Sequence, residues 1–286
     1  LPPLALCVEE IHTHTRAVPD SGTARVCAGA GPVSGSRGRR DGCCCCWSLP
    51  DDALRFYRRA GFSEKRLEEY RSRFGSFGAN VSALPAGYHR VRDGDYLDIG
   101  GRVWRVVVGR GHSPEHACLY CPELKVIIAG DQILPRITPN VSVNPLEPKA
   151  NPVKEWLTFC VTLRDLLPSD LLVLPAHQGL YRGVHERLTA LISHHETALN
   201  NLYDICEEPK RAVDVFPAIF KSKITEWTYF MATGESIAHI NCALDRRMLT
   251  VEEDDAGVAV GAGERADALE ARDVPNLDRR VLGARE

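Results

Sequence analysis

The sequence lacks long apolar runs and has little excess charge of either sign. No stretch of about 18 apolar residues occurs, so we expect no membrane span. The 35 lysines and arginines are offset by 38 acidic residues, a balance that does not favour nucleic-acid binding through bulk charge. The first residues, LPPLALCVEE, lack the basic segment and full apolar core of a signal peptide. We therefore expect a protein that is neither exported nor inserted into a membrane.

Cysteine is plentiful, but its distribution does not predict a disulfide framework. Four of the 11 cysteines are consecutive, Cys43–Cys46, and neighbouring cysteines are poor partners for separate bridges. Most others lie in apolar segments, which is typical of buried thiols in a reducing compartment and favours a cytoplasmic location. Cys118 and Cys121 form a C-x-x-C without a second pair at zinc-ribbon spacing. Since positions i and i+3 of a strand face opposite sides, we interpret both as structural thiols.

The chain divides into segments of different character. Residues 1–47 and 259–286 lack apolar periodicity, and we expect them to be atypical or disordered. The alternative is that these flanks come from a shifted reading frame or a wrongly assembled gene model. The patterned middle predicts one α/β domain over 48–205 and a small domain over 206–258.

The patterned region predicts alternating strands and helices. Its first part, 51–75, is helical, with Ser63 as a helix cap. Asp-Gly and Gly-Gly pairs then predict a meander of three short strands over 88–109. Apolar runs and periodicity predict strands at ACLYC and KVIIAGD, helices over 153–167 and 183–205, and a buried strand over 170–177 between them.

Three of these predicted strands are followed by a residue that can ligate a metal. The residues are His112, Asp131 and His177. A strand end is rigid and opens at the sheet edge, so it can aim a ligand with little entropy left to lose. Imidazoles and a carboxylate suit Zn²⁺, and a carboxylate can bridge two ions. The pattern predicts a metal site at these residues; the alternative is solvated loop residues.

Residues 86–178 resemble the metallo-β-lactamase-fold hydrolases. The matching segments are DGDYLDIGGRVWRVVVGRGHSPEH, LKVIIAGDQIL and DLLVLPAHQG. The resemblance implies an α/β fold, an αββα sandwich with a metal site at one edge. It also implies that His112 is the family's third histidine, Asp131 its bridging carboxylate and His177 its last histidine. His116 matches a histidine that supports the turn without ligating the metal.

The family's first motif, H-x-H-x-D-H, is altered in this chain. The nearest segment is HTHTRA, in which His12 and His14 have the H-x-H spacing. Arg16 and Ala17 stand where the family has aspartate and histidine. His12 and His14 are therefore candidate ligands, and a chance H-x-H in a segment of unusual composition is the alternative.

This alteration has consequences for the number of zinc ions. If His12 and His14 act as ligands, they could hold one Zn²⁺ together with His112. The second site would keep only Asp131 and His177, and two protein ligands are too few to hold an ion firmly. One Zn²⁺ still acidifies a bound water, so a single ion would suffice for hydrolysis, and we predict one or two zinc ions with the second site incomplete.

The segment 206–258 resembles the winged-helix domain of the family's endoribonuclease-like branch. Two predicted helices are followed by LTVEEDDAGVAV, a predicted hairpin. A domain that grips phosphates should have an excess of basic residues. Lysine and arginine only equal aspartate and glutamate between 206 and 250, which favours a packing or dimerisation module. The histidines of this part of the chain are interpreted as packing or surface residues: His194, His195 and His239.

The resemblance implies a hydrolase that uses zinc-activated water on an ester, thioester or phosphodiester, with Asp131 in the catalytic centre. Ser142 and Asn144 follow the bridging aspartate and are candidates for lining the cleft. We expect a small-molecule or nucleotide-type substrate, no membrane partner and a homodimer as one possible assembly. Two alternatives are a degenerate family member acting as a binding or scaffold protein, and a single-strand RNA endonuclease.

Overall fold

The structure is a computed structural model that describes residues 51–74, 89–254 and 257–262. The candidate ligands His12 and His14 lie outside these residues, as do the predicted segment 1–47 and most of 259–286.

The described residues form a mixed α/β fold, as the sequence predicts. The helices are α1 (Asp51–Arg59), α2 (Glu64–Arg73), α3 (Pro152–Leu166), α4 (Val184–Ile205), α5 (Phe216–Ile219) and α6 (Tyr229–Asp245). The strands are β1 (Tyr96–Ile99), β2 (Arg102–Gly109), β3 (His116–Cys121), β4 (Val126–Gly130), β5 (Leu172–Pro175), β6 (Leu249–Asp254) and β7 (Gly257–Ala262). In the described ranges, no helix combines the length and hydropathy that a bilayer span requires.

Strands β1 to β5 form one sheet in chain order. The first four are antiparallel neighbours, whereas β4 and β5 run parallel, with Ile127 opposite Val173. Parallel neighbours need a long crossover, and here the connection contains helix α3. The carboxyl ends of β4 and β5 therefore meet at the same edge of the sheet. Asp131 and His177 follow these two ends.

The main core joins the sheet to the helices on one of its faces. Val107, Ile127 and Val173 alternate with residues of the other face and are buried in one cluster with Trp156 of α3 and Leu188 of α4. Buried residues of α6 belong to the same cluster. Burying an aliphatic side chain of this size stabilises the fold by about 1.5–3 kcal/mol. The C-terminal helix is thus part of the core that supports the sheet.

One local prediction is confirmed and another differs from the structure. The helical region predicted over 51–75, with a cap at Ser63, consists of α1 and α2; Gly61, whose φ of +106° suits glycine, lies between them, and Ser63 caps α2. The meander predicted over 88–109 contains two strands among its described residues, β1 and β2, whereas residues 89–92, before the Asp-Gly turn, form no strand. Asp93 accepts a hydrogen bond from the Val108 amide at 2.8 Å, so a side chain takes the place of a strand partner.

Five cysteines lie in the described residues, and all five are buried and reduced: Cys118, Cys121, Cys160, Cys206 and Cys242. Burial raises the pKa of Cys118 to about 12, so its thiol is protonated at neutral pH. The Cys118 thiol is therefore an inert packing group.

His195 of α4 and His239 of α6 form a buried pair between the two helices. His239 Nδ1 lies 2.8 Å from the Glu235 carbonyl, so it carries the proton and leaves Nε2 as an acceptor. His195 Nδ1 lies 2.9 Å from that Nε2 and donates to it. Burial lowers the pKa of His239 to about 4 and that of His195 well below its usual value. Both imidazoles are neutral packing groups at pH 7.

Candidate metal centre

The ends of three strands place two imidazoles around one carboxylate. Asp131 directly follows β4, His112 follows β2 and His177 follows β5. His177 Nε2 lies 3.3 Å from Asp131 Oδ1, and His112 Nε2 lies 3.9 Å from Asp131 Oδ2. Two ligand atoms on one zinc ion are about 3.4 Å apart when each bond is about 2.1 Å and the geometry is tetrahedral. The observed separations are near that spacing.

Asp131 is the most enclosed of these side chains, being only 2% exposed. Both of its carboxylate oxygens are buried, and no hydrogen bond in the described part of the chain reaches either of them. The nearest groups are the imidazole nitrogens of His177 and His112, and a buried carboxylate is unfavourable by several kcal/mol unless a proton on such a neighbour or a cation compensates its charge. Asp131 therefore fits the requirements of a residue that contacts a cation.

The orientation of His112 directs its outer nitrogen toward Asp131. His112 Nδ1 lies 2.8 Å from the main-chain carbonyl of Asn140 and donates its proton there. In the neutral imidazole, Nε2 is then an acceptor directed toward Asp131. Histidines that bind metals typically donate the other ring N–H to a carbonyl or carboxylate in this way. The tautomer of His112 is the one that a metal ligand requires.

The loop that carries His177 is tied to the loop that follows Asp131. Gln178 has a φ of +69°, which is uncommon for a residue other than glycine. Its Oε1 accepts a hydrogen bond from the Arg136 amide at 3.1 Å. This contact holds the backbone beside His177, whose side chain is 59% exposed. The His177 imidazole thus lies at the solvent side of the centre.

His116 lies beside the centre, in strand β3 instead of the turn that the sequence predicts. It is paired with Gly109, and its ring centre is 5.9 Å from that of His112. A Cβ at Gly130 would come within 2.3 Å of His116 Nε2, and the φ of Gly130 is +53°. Glycine before Asp131 therefore leaves the room that the His116 ring occupies. The supporting role of His116 stays a prediction.

The three side chains do not close around one point by themselves. Among residues 51–74, 89–254 and 257–262, no group of three or more His, Cys, Asp or Glu side chains is spaced to hold a metal ion. A firmly held ion would need further ligands from outside these ranges, and His12 and His14 are the predicted ones.

Ser142 and Asn144 lie in the loop between β4 and α3. The Ser142 hydroxyl donates to Asn140 Oδ1 at 2.6 Å. Asn144 is exposed, and its Oδ1 accepts a hydrogen bond from the Leu146 amide at 2.9 Å, which closes a local turn. Ser142 thus supports the residue that orients His112, whereas Asn144 shapes the loop. Their role in substrate binding stays a prediction.

Two residues connected to this centre, Asn140 and Glu235, were not among the candidates that sequence patterns indicate. Asn140 Nδ2 donates to Glu235 Oε2 at 3.0 Å, although the two residues are 95 positions apart. Glu235 lies in α6 and is 7% exposed. Burial raises the pKa of Glu235 to about 8, and the hydrogen bond from Asn140 opposes this shift. The carboxyl group is therefore mostly protonated at neutral pH.

Family comparison agrees with the strand-end geometry. Residues 53–177 match the model of the Metallo-beta-lactamase superfamily. Residues 199–260 match the model named Metallo-beta-lactamase-like, C-terminal domain. The chain therefore contains a metallo-beta-lactamase superfamily domain followed by a metallo-beta-lactamase-like C-terminal domain, which confirms the resemblance at the level of the superfamily.

Two solved structures are similar over most of this chain. A beta-lactamase domain protein from Burkholderia ambifaria is 36% identical, with a TM-score of 0.67, over 72% of this chain and 60% of that protein. A metallo-beta-lactamase family protein from Thermus thermophilus is 24% identical, with a TM-score of 0.60, over 74% of this chain and 64% of that protein, and it shows the fold alone. The chain thus spans less than two thirds of either protein. No curated protein matches it significantly.

Proposed function

We propose that this protein is a metal-dependent hydrolase whose zinc ion is bound with the help of His112, Asp131 and His177. The observation that carries the proposal is Asp131, a buried carboxylate between two imidazole nitrogens with no hydrogen bond from the described residues. The superfamily match supports metal-dependent hydrolysis as the general type of reaction.

In the proposed reaction, the zinc ion would activate the substrate and the water, and the residues of the centre would hold the ion. When bound, zinc would polarise the electrophilic oxygen of an ester, thioester or phosphodiester and lower the pKa of a bound water. Asp131 supplies the negative charge that holds a cation at the sheet edge. His112 is kept in one tautomer by the Asn140 carbonyl, so its Nε2 faces the same point. The exposed His177 borders the side from which a substrate would enter.

The proposal extends to the type of C-terminal unit, the class of substrate and the cellular location. The order of α5, α6 and the β6–β7 hairpin supports a winged-helix-like C-terminal unit. The balanced charge of that segment favours a small-molecule or nucleotide-type substrate over RNA. The buried, reduced cysteines support a cytoplasmic location.

A second candidate function is a binding or scaffold protein that has lost its metal. The absence of a three-ligand group from the described residues favours it, and so does the presence of Arg16 and Ala17 in the altered first motif. Metal content distinguishes the two candidates.

The test is metal stoichiometry of the purified protein by elemental analysis. We expect about one zinc per chain in the wild type and its loss in His112→Ala and Asp131→Asn. The control is His89→Ala, which removes an exposed histidine outside the centre. His112→Ala also removes a donor to the Asn140 carbonyl, so its folding is verified by circular dichroism before its metal content is measured. A wild-type protein that binds no zinc would overturn the hydrolase proposal and favour the scaffold.

Substrate class is tested on the same preparations. Chromogenic esters, thioesters and phosphodiesters are compared with single-stranded RNA, and hydrolysis should fall at least tenfold in His112→Ala. Activity that persists unchanged in this variant would show that another site is responsible.

A further inference from the structure

We propose that Glu235 is a positioning residue for the metal centre: from helix α6 it holds Asn140, whose main-chain carbonyl orients His112. This inference rests on the proposed function, because it assigns the role through a metal ligand. Glu235 belongs to the segment matched by the C-terminal domain model, 199–260, so this segment would help to fix the geometry of the metal centre.

The first step is the dependence of His112 on Asn140. The imidazole donates its Nδ1 proton to the Asn140 carbonyl at 2.8 Å, which fixes both the tautomer and the ring plane. Asn140 lies outside any helix or strand. No ladder of main-chain hydrogen bonds therefore determines the direction of its carbonyl, and other contacts must do so.

The second step is the restraint on the Asn140 side chain. Its Nδ2 donates to Glu235 Oε2 at 3.0 Å, and its Oδ1 accepts from the Ser142 hydroxyl at 2.6 Å. Both ends of the amide are thus engaged. A side chain held at both ends fixes the backbone of its own residue, including the carbonyl that His112 contacts.

The third step is the rigidity of Glu235. It lies in the middle of α6 and is 7% exposed, so its carboxyl has little freedom. The neighbouring Gly234 brings the helix close to the loop: its carbonyl accepts a hydrogen bond from the Val143 amide at 3.0 Å. A Cβ at Gly234 would lie 2.9 Å from the Val143 carbonyl oxygen. The helix and the loop are therefore held together at adjacent residues.

Variants of Glu235 separate positioning from general stability. Glu235→Gln keeps an oxygen acceptor for Asn140, whereas Glu235→Leu keeps the bulk and removes the acceptor. The matched control is Glu196→Leu, which breaks the pair between Glu196 Oε2 and Arg246 Nη1 at 2.7 Å, at the C-terminal end of α6, without involving Asn140. This control should lower the melting temperature and leave the metal centre unchanged.

Two readouts are measured on folded protein, verified by circular dichroism. The affinity for Zn²⁺ is obtained by competition with a chromophoric chelator, and the absorption spectrum of the Co²⁺-loaded protein reports ligand geometry. We expect Glu235→Leu to weaken binding about 10- to 100-fold, as for other residues that orient a metal ligand. Glu235→Gln should stay within about threefold of the wild type, since the hydrogen bond is preserved.

A third readout does not depend on the metal. The His112 Nδ1 proton should give a protected resonance in the ¹⁵N–¹H spectrum of metal-free wild type and Glu235→Gln, and this resonance should be lost in Glu235→Leu. If the wild type binds no metal, the hydrolase proposal fails, while this resonance still decides whether Glu235 positions His112.

Three results would overturn the inference. The first is an unchanged His112 resonance in Glu235→Leu, and the second is wild-type zinc affinity in that variant. The third is an equal loss of affinity in Glu196→Leu at the same loss of melting temperature. If Glu235→Leu does not fold, Asn140→Ala replaces it, because this variant keeps the carbonyl and removes its anchor; a wild-type resonance there is equally contradictory.

Discussion

Replacing Glu235 by glutamine should change how the stability of the protein depends on pH. The folded protein raises the pKa of Glu235 to about 8 from its ordinary value of 4.5, because the carboxyl is buried. A carboxyl whose pKa is raised by folding contributes stability that is complete below pH 4.5. This contribution is lost as the pH rises through the folded pKa, since the unfolded chain releases the proton first.

The magnitude follows from the size of the shift. A difference of about 3.5 pH units, at about 1.36 kcal/mol per unit, corresponds to about 4–5 kcal/mol of unfolding free energy. The wild type should lose this amount between pH 4.5 and about pH 8. Glu235→Gln has no proton to lose at this position and should not show this decline. All other titrating groups are shared by the two proteins, so they cancel in the difference.

The assay is urea unfolding at several pH values from about 5 to 8.5, followed by circular dichroism. Relative to the wild type, Glu235→Gln should gain about 1.4 kcal/mol for each pH unit between about pH 5 and pH 8, and nothing further above the folded pKa. The control Glu208→Gln alters an exposed glutamate and should follow the wild type. Parallel profiles for the wild type and Glu235→Gln would refute the reasoning.

Two further predictions concern other buried groups. Burial lowers the pKa of His239 to about 4. The unfolding free energy should therefore fall by up to about 3 kcal/mol as the pH drops from 6.5 to 4, because the unfolded chain binds the proton first. An NMR titration of His239 with a midpoint above about pH 6 would contradict this. Gly130→Ala should cost about 2–4 kcal/mol of unfolding free energy and displace the His116 ring. The control is Gly101→Ala: Gly101 also has a positive φ, +74°, but nothing lies within 4 Å of the added Cβ, so this variant should lose only about 1 kcal/mol of unfolding free energy. Equal losses in the two variants would show that the contact with His116 is unimportant.

The relation between Asp131 and His177 could be predicted because it follows from strand direction. Each residue comes shortly after an apolar strand, and parallel neighbouring strands end at the same edge of a sheet. The 3.3 Å separation of their side chains is a consequence of this pairing. The apolar pattern of the sequence predicts both strands, and this prediction does not depend on the number of residues between them.

The contacts of Asn140 could not be predicted, because they carry no compositional signal. A main-chain carbonyl is present in every residue, so nothing in the sequence distinguishes the one that His112 contacts. Glu235 resembles any polar residue in an amphipathic helix, and its burial depends on how α6 lies against a distant loop. The pair of His195 and His239 escaped prediction for the same reason: its 2.9 Å contact depends on the relative register of α4 and α6.

Helix α4 runs from Val184 to Ile205, so it begins in the gap between the two family matches, 53–177 and 199–260, and continues into the second match. A recombination event with its breakpoint between 184 and 198 would divide a helix whose buried residues belong to the common core. An α6 from another family member would also pack against the loop that contains Asn140, which evolved with a different helix. We therefore expect the two segments to be inherited together, with substitutions at Asn140 and Glu235 compensating each other across lineages.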